Sequence, residues 1–225
     1  MLTFLKAIIS GLSTGLVISI PLGPAGIESI KRTINENYKK GLFVSFGAIC
    51  ADISYLFLIN CGLFNYFNKN QKSKALFWIF SGITLLTIEY FSLTKHTKKS
   101  KLLNNNKINS SPFLSGFLIT FSNPMTPSLW ITLSGTIIRK WHYIGKTSYY
   151  IFICSIISGM ILWFVTLNYL ALKGVHILGE KVTKKTSKIL NLIILTIGII
   201  FIVLGFIKLF NESTIAYRSS IKYLL

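Results

Sequence analysis

Apolar residues form six long runs along the chain, and short polar stretches rich in lysine and asparagine separate them. A helix that crosses a membrane needs about 20 mostly apolar residues to span about 30 Å of hydrocarbon. The runs predict six such helices, at residues 2–20, 41–64, 75–94, 112–138, 147–172 and 189–210. They use up most of the 225 residues, so we expect an all-α membrane protein with a single domain and no soluble domain.

Prolines interrupt the first and the fourth apolar runs. Residues 21–24 and residues 124–127 both have the spacing Pro-x-x-Pro, and the second pair follows the first by 103 residues. Because proline lacks an N–H and clashes with the preceding turn, a helix that reaches these positions must end and restart. Paired interruptions of this kind indicate the substrate site of a secondary transporter. We therefore expect the site to contain Pro21, Gly23, Pro24, Asn123, Pro124 and Pro127.

Three predicted spans precede a basic, polar stretch and three follow it. This stretch, residues 95–112, has no apolar period and is predicted to be a solvated linker. Because each half has an odd number of spans, the second half begins on the opposite side of the membrane. The sequence thus predicts two inverted three-helix repeats, residues 1–94 and residues 113–225, the second with a short C-terminal tail.

Composition and charge agree with a membrane protein and give its orientation. The mean hydropathy is +0.60, and only 13% of the residues are charged. The net charge of +18 does not indicate nucleic-acid binding, because the 24 lysines and arginines are spread over all the loops. Fourteen of them fall on one side of the predicted spans and ten on the other. The positive-inside rule therefore places the linker in the cytoplasm and both termini outside.

Asp52 is the acidic residue that lies nearest the middle of a predicted span. A charge at the bilayer centre costs about 2.5–3.5 kcal/mol on insertion scales, so such a residue is expected to face an interior cavity and to be functional. We expect Asp52 to bind the ammonium group of a substrate, a proton, or each in turn. The alternative is a structural carboxylate that pairs with a polar neighbour and locks two helices together.

Two further carboxylates, Glu28 and Glu89, are candidates for proton coupling. Glu28 precedes Lys31 and Arg32 by three and four residues, and this spacing favours an ion pair on a helix surface, worth a few tenths of a kcal/mol. Glu89 lies six residues from Lys95, near the end of the third span, and this position favours the membrane interface. A coupling role stays open for both.

The sequence predicts no metal site and no cofactor. The three cysteines lack the C-x-x-C spacing and the three histidines do not cluster. Two other functions stay open. A divalent-cation exporter would use the carboxylates of Asp52, Glu28 and Glu89 as oxygen ligands. A transmembrane thiol–disulfide conduit would need redox cysteines beside the helix breaks, where this sequence has none.

Taken together, these residues resemble the LysE/RhtB family of amino-acid exporters, in its variant with a P-x-G-P first motif. The resemblance covers nearly the whole chain. It rests on Pro21-Leu22-Gly23-Pro24, the run from Gly41-Leu42 through Gly47-Ala48 to Asp52 and Tyr55, Asn123-Pro124, and the final span after Leu190-Asn191. Met125 stands where the family often has a lysine, so a substrate class that depends on that charge is not carried over.

The resemblance implies efflux of an amino acid or a small related metabolite, and not an enzymatic reaction. It also implies proton antiport and a multi-pass location in a bacterial inner membrane. The expected partners are a small-molecule substrate, protons and the lipid bilayer, and a homo-oligomer is left open.

Overall fold

A computed structural model describes residues 2–61, 71–98 and 111–222, and the regular secondary structure of these residues is helical. The helices are α1 (Leu2–Ser19), α2 (Pro24–Asn35), α3 (Tyr38–Asn60), α4 (Gln71–Lys98), α5 (Pro112–Phe121), α6 (Met125–Leu133), α7 (Arg139–Ile144) and α8 (Lys146–Lys222). A π-helical turn, Ser134–Ile138, joins α6 to α7.

Five stretches of the described residues are long and apolar enough to cross a membrane. They are Leu2–Ser19, Tyr38–Asn60, Lys72–Phe91, Lys146–Gly174 and Lys184–Phe210. The protein is therefore a multi-pass membrane protein. The predicted linker lies mostly outside the described residues, as does the end of the second predicted span.

Both predicted helix breaks are confirmed. α1 ends at Ser19 and α2 begins at Pro24, while α5 ends at Phe121 and α6 begins at Met125. Pro127 itself does not interrupt a helix, because it lies in the first turn of α6, where no N–H has an intrahelical partner. The fourth apolar run is thus divided into helices of 10 and 9 residues, each shorter than a full span.

The fifth and sixth predicted spans, residues 147–172 and 189–210, imply a loop at residues 173–188. This prediction is wrong, because α8 is helical throughout the region. The helix nevertheless cannot be straight. Thr33 of α2 donates a hydrogen bond to Asn168 at 2.5 Å, and Asn35 donates one to Ser187 at 2.7 Å. Nineteen residues of straight helix would separate Asn168 and Ser187 by about 28 Å, much farther than two residues of α2 extend. α8 therefore bends back on itself between these two residues.

Glycines allow α1 to pack directly on the first part of α8. A Cβ atom on Gly11 would lie 2.6 Å from the carbonyl oxygen of Phe152, and one on Gly15 would lie 2.1 Å from that of Ile156. Side chains larger than hydrogen do not fit at these two positions, as is common where membrane helices cross closely. The order of the contacts shows that α1 and this part of α8 run in parallel.

α3 and α5 form a second parallel pair. A Cβ atom on Gly116 of α5 would lie 1.9 Å from the carbonyl oxygen of Val44 on α3. Farther along both helices, the rings of Tyr55 and Phe121 stack with centroids 5.2 Å apart. In each of the two parallel pairs, the helix that leads into a proline break therefore packs against another apolar helix through a glycine.

α4 packs against the last part of α8 in the antiparallel direction. A Cβ atom on Gly82 would lie 2.5 Å from the carbonyl oxygen of Gly198, and one on Gly205 would lie 3.0 Å from that of Ala75. The buried apolar core lies between these helix pairs, in one cluster around Trp130 and another around Ile194.

Candidate functional site

The first break leaves open space beside Gly23. The amide N–H of Ile20 still donates to the carbonyl of Leu16, and helical bonding resumes where Ile27 donates to the carbonyl of Gly23. Gly23 has φ −75°, which any residue adopts, and a Cβ atom there would meet no atom within 4 Å. This glycine is therefore required neither by a strained backbone nor by close packing within the chain.

The second break is shaped by the side chain of Asn123. Its Oδ1 atom accepts a hydrogen bond of 3.1 Å from the amide N–H of Met125, the first residue of α6. The bond satisfies one of the N–H groups that a helix start leaves without a partner. Asn123 was predicted to bind substrate, and its observed contact is with the restarted helix.

Side chains from two neighbouring helices hold the backbone at the second break. The hydroxyl of Tyr55 on α3 donates to the carbonyl of Phe121, and the hydroxyl of Ser81 on α4 contacts the carbonyl of Ser122. Both carbonyls lie at the end of α5, where helical partners are missing. The interruption of the helix is therefore stabilised by polar groups from other helices, as an apolar environment requires.

Asp52 lies on α3 and is bound by the helix that follows the second break. The indole Nε1 of Trp130 on α6 donates to Oδ1 of Asp52 at 2.7 Å. Asp52 is half-buried and Trp130 is 1% exposed. The structure thus brings the predicted carboxylate to the helix that restarts after the second predicted break.

The helix after the first break contacts the same face of α3. The hydroxyl of Ser29 on α2 lies 2.8 Å from that of Ser45. Ser45 and Asp52 are seven residues apart, which is close to two helical turns and about 10 Å along the axis. The two restarted helices, α2 and α6, therefore meet one face of α3, at Ser45 and at Asp52 respectively.

α2 also contains a buried ionic cluster. Lys31 Nζ lies 2.6 Å from Glu28 Oε2 and forms a second ion pair with Glu89 of α4. Arg32 Nε lies 2.7 Å from Glu28 Oε1, and Arg32 also pairs with Glu36 at 2.6 Å. Asn191 of α8, with its amide turned to donate, lies 3.0 Å from Glu89 Oε1.

One sequence-based interpretation is wrong at this cluster. Glu28 was expected to form a surface ion pair, yet its side chain is 0% exposed and its partners Lys31 and Arg32 are buried with it. Glu89, which was expected near the membrane interface, is also 0% exposed and pairs with α2 inside the protein. The spacing of charges along one helix predicted the local pairs correctly but could not tell that another helix covers them.

Asn168 is the centre of a neutral polar cluster next to the ionic one. This fully buried amide on α8 accepts hydrogen bonds from Ser29 at 2.9 Å and Thr33 at 2.5 Å, and donates one to Ser45 at 3.1 Å. It thereby joins α2, α3 and α8. α2 is therefore held by polar contacts to its neighbours: the ionic cluster joins it to α4, and the neutral cluster joins it to α3 and α8.

The acidic side chains that were considered as metal ligands bind different partners. Glu28 and Glu89 share Lys31, whereas Asp52 accepts from Trp130. Within the described residues, no three His, Cys, Asp or Glu side chains come together to hold a metal ion. The three cysteines are not in disulfides.

Trp130 and Asn168 were not identified from the sequence, and Lys31 was expected only as a surface partner of Glu28. An amide within an apolar span is unusual, and this signal could have pointed to Asn168. Trp130 carries no comparable signal, because a tryptophan in a membrane helix is an ordinary apolar residue until a carboxylate is seen next to it.

Comparison with known proteins gives the family of this chain. The LysE type translocator family matches residues 16–211, and the chain belongs to this family. The predicted resemblance is thereby confirmed.

The chain is also similar to the protein described as "Putative amino acid efflux protein YcgF" of Bacillus subtilis (strain 168). The two are 27% identical over 202 residues, which cover 88% of this chain and 94% of that protein. No solved structure matches the chain.

Proposed function

We propose that this translocator exports an amino acid or a small related metabolite in exchange for protons, across a bacterial inner membrane. Membership of the LysE type translocators and the efflux function named for the Bacillus relative support the export of such a substrate. The observation that carries the proposal is the contact between Asp52 and Trp130, which joins a carboxylate in the middle of α3 to the helix that restarts after a proline break.

The proposed substrate site lies along the face of α3 that contains Ser45 and Asp52. The N-terminus of α2, next to the open space at Gly23, supplies backbone N–H groups and the positive end of a helix dipole for the substrate carboxylate. Asp52 binds the substrate ammonium group and a proton in turn. Residues Pro21, Pro24, Pro124 and Pro127 contribute by keeping the two helix starts at these positions.

Energetics favour a zwitterionic substrate over a cationic one. Moving one elementary charge across a potential of 100 mV is worth about 2.3 kcal/mol. A neutral zwitterion that leaves in exchange for one entering proton gains this energy. A cationic substrate cancels it, so that only the pH gradient drives export.

We further propose that the chain crosses the membrane six times in two inverted repeats. The two parallel helix pairs support this arrangement, because α1 with the first part of α8 corresponds to α5 with α3 when the halves are exchanged. The same exchange of halves replaces α4 by the last part of α8 and the last part of α8 by α4, so this antiparallel pair is unchanged. In this arrangement, α5 and α6 together form the sixth span, because each of them alone is too short to cross the membrane.

Transport in vesicles tests the proposed role of Asp52. A panel of amino acids, analogues and metal salts is first tested for growth protection by the expressed gene, which identifies a substrate. Asp52→Asn removes the titratable group and keeps its size. We expect this variant to lose export driven by a pH gradient and to retain exchange of substrate between the two sides, with a lower apparent affinity because the ammonium group loses its carboxylate. Full gradient-driven export by Asp52→Asn would contradict the proposal.

Gly23→Ala tests whether the first break takes part in the site. The added methyl group enters open space on an unstrained backbone, so abundance and thermal stability should not change. We expect the apparent affinity for substrate to fall several-fold. The matched control is Gly135→Ala, where a Cβ atom also meets no atom within 4 Å. Equal transport by both variants would remove the first break from the site.

A further inference from the structure

The hydrogen bond between Trp130 and Asp52 leaves part of the carboxylate available. The indole N–H can only donate, and its single hydrogen points to Oδ1 of Asp52 at 2.7 Å. Within the described residues, Oδ2 of Asp52 has no hydrogen-bond partner. One carboxylate oxygen is thus held in place by the protein, and the other is available to a proton or to an ammonium group.

α3 holds the second break from both sides. Before the break, the hydroxyl of Tyr55 donates a hydrogen bond to the carbonyl of Phe121. After the break, the indole N–H of Trp130 donates one to Asp52. Asp52 and Tyr55 are three residues apart, so they lie one above the other on the same face of α3. A phenol has an ordinary pKa of about 10 and stays protonated under cellular conditions. Of these two hydrogen bonds, the one from Trp130 to Asp52 is therefore the one whose strength changes with the charge of its acceptor.

We propose that Trp130 is a positioning residue for Asp52: its indole N–H orients the carboxylate and links the occupancy of that carboxylate to the position of α6. This inference rests on the coupling role proposed above for Asp52. A hydrogen bond to an ionised acceptor is roughly twice as strong as one between neutral groups. An empty, ionised Asp52 therefore holds α6 firmly. A proton or a substrate ammonium group at Oδ2 neutralises the acceptor and weakens the hold, while the indole keeps its own hydrogen.

The other ionisable groups near α3 do not provide a second donor of this kind. α5 and α6 contain no ionisable side chain. The charged residues of α2 pair with one another and with Glu89. On α3 itself, Tyr55 lies one turn away and donates to Phe121. The described ionisable side chains on the first part of α8 are Lys146, Tyr149, Tyr150, Cys154, Tyr169 and Lys173.

The inference is tested by titrating Asp52 directly, without any substrate. Full-length protein in liposomes is titrated while infrared spectroscopy follows the carbonyl stretch of protonated carboxyl groups. The signal that disappears in Asp52→Asn belongs to Asp52. Trp130→Phe keeps an aromatic ring and removes the N–H. The matched control is Trp163→Phe, because the buried Nε1 of Trp163 has no hydrogen-bond partner within the described residues.

We expect the midpoint of the Asp52 titration to rise by about one pH unit in Trp130→Phe, because the ionised carboxylate loses a donor that stabilises it. Trp163→Phe should titrate like the wild type. Replacement of Trp130 by benzothienylalanine, which has the shape of tryptophan without the N–H, should reproduce the shift and guards against misfolding of the phenylalanine variant.

An unchanged midpoint in the benzothienylalanine variant would overturn the inference, as would an equal shift in Trp163→Phe. The transport assay of Asp52→Asn is independent of this titration. If Asp52→Asn loses gradient-driven export while the Trp130 variants titrate like the wild type, the role of Trp130 is rejected and the proposed role of Asp52 is not.

Discussion

Lys31 of α2 and Glu89 of α4 form an ion pair inside the protein, although 58 residues separate them in the sequence. Their side chains are 2% and 0% exposed. Glu28 shares the same ammonium group, so two carboxylates converge on one lysine. Buried ion pairs contribute little net stability, but breaking one leaves an uncompensated charge that is costly. This pair consequently links the position of α2, the helix after the first break, to α4.

Removing Lys31 alone should destabilise the protein more than removing the whole pair. Lys31→Met leaves Glu89 without its cation and should cost about 3–5 kcal/mol. The double variant Lys31→Met/Glu89→Met should recover most of this loss, because neither charge of the pair stays buried and Glu28 keeps Arg32 as its partner. Thermal unfolding in detergent measures both. The control is Lys40→Met, since the side chain of Lys40 is 48% exposed. A double variant no more stable than the single one would contradict this account.

Glu28→Gln should lower stability and export together, unlike a change at a surface ion pair. The substitution leaves the buried cations Lys31 and Arg32 with one carboxylate fewer, and we expect a loss of about 3 kcal/mol. Lys40→Gln is the control, because Lys40 is 48% exposed and its pair with Glu36 lies near the surface, where such pairs are worth under about 1 kcal/mol. Similar unfolding midpoints for the two variants would show that the buried cluster is not special.

Asn168→Leu should weaken the attachment of α2 to α3 and α8. The leucine has a similar size but leaves the hydroxyl of Thr33 without its acceptor and removes the bonds from Asn168 to Ser29 and Ser45, and an unsatisfied buried polar group costs about 1–3 kcal/mol. Hydrogen exchange of α2 should become faster, while that of α4 changes little. Asn60→Leu, at an exposed position of α3, provides the comparison. If both variants exchange at the wild-type rate, the amide is not what holds α2.

The glycines of the two parallel helix pairs should tolerate no side chain. Gly15→Ala and Gly116→Ala place a methyl group 2.1 Å and 1.9 Å from carbonyl oxygens of the partner helix. Each should cost at least about 2 kcal/mol, because one backbone has to move away. Gly135→Ala meets no atom within 4 Å and should unfold at the wild-type temperature. Wild-type stability of either clash variant would mean that the helices lie farther apart.

The orientation proposed from the loop charges can be tested by labelling single cysteines. On a background without native cysteines, Ser100→Cys reports on the linker and Ser220→Cys on the C-terminal tail. A membrane-impermeant maleimide added to whole cells should label the tail and spare the linker, since the side with fourteen basic residues is expected inside. Faster labelling of the linker than of the tail would reverse the orientation.

Local chemistry was enough to predict the apolar spans and the positions at which two helices break. Apolar runs predicted six spans, which include the five long apolar stretches of the structure, and the prolines predicted the interruptions after Ser19 and Phe121. Both signals act within a few residues, because a missing N–H or an unsuitable φ ends a helix whatever surrounds it. The cost of a charge in hydrocarbon likewise pointed to Asp52 without any knowledge of its neighbours.

Tertiary structure decided which polar groups meet. Trp130 and Asp52 are 78 residues apart, and Ser29 and Asn168 are 139 apart. In a membrane protein, apolar side chains face the lipid as well as the core, so hydrophobic periodicity does not reveal which face of a helix is covered. The charges of α2 illustrate this, because their spacing is the same on a solvated surface and beneath another helix. Only the packing of α4 and α8 around α2 turned a predicted surface ion pair into a buried cluster, and only the path of α6 brought an indole to the carboxylate.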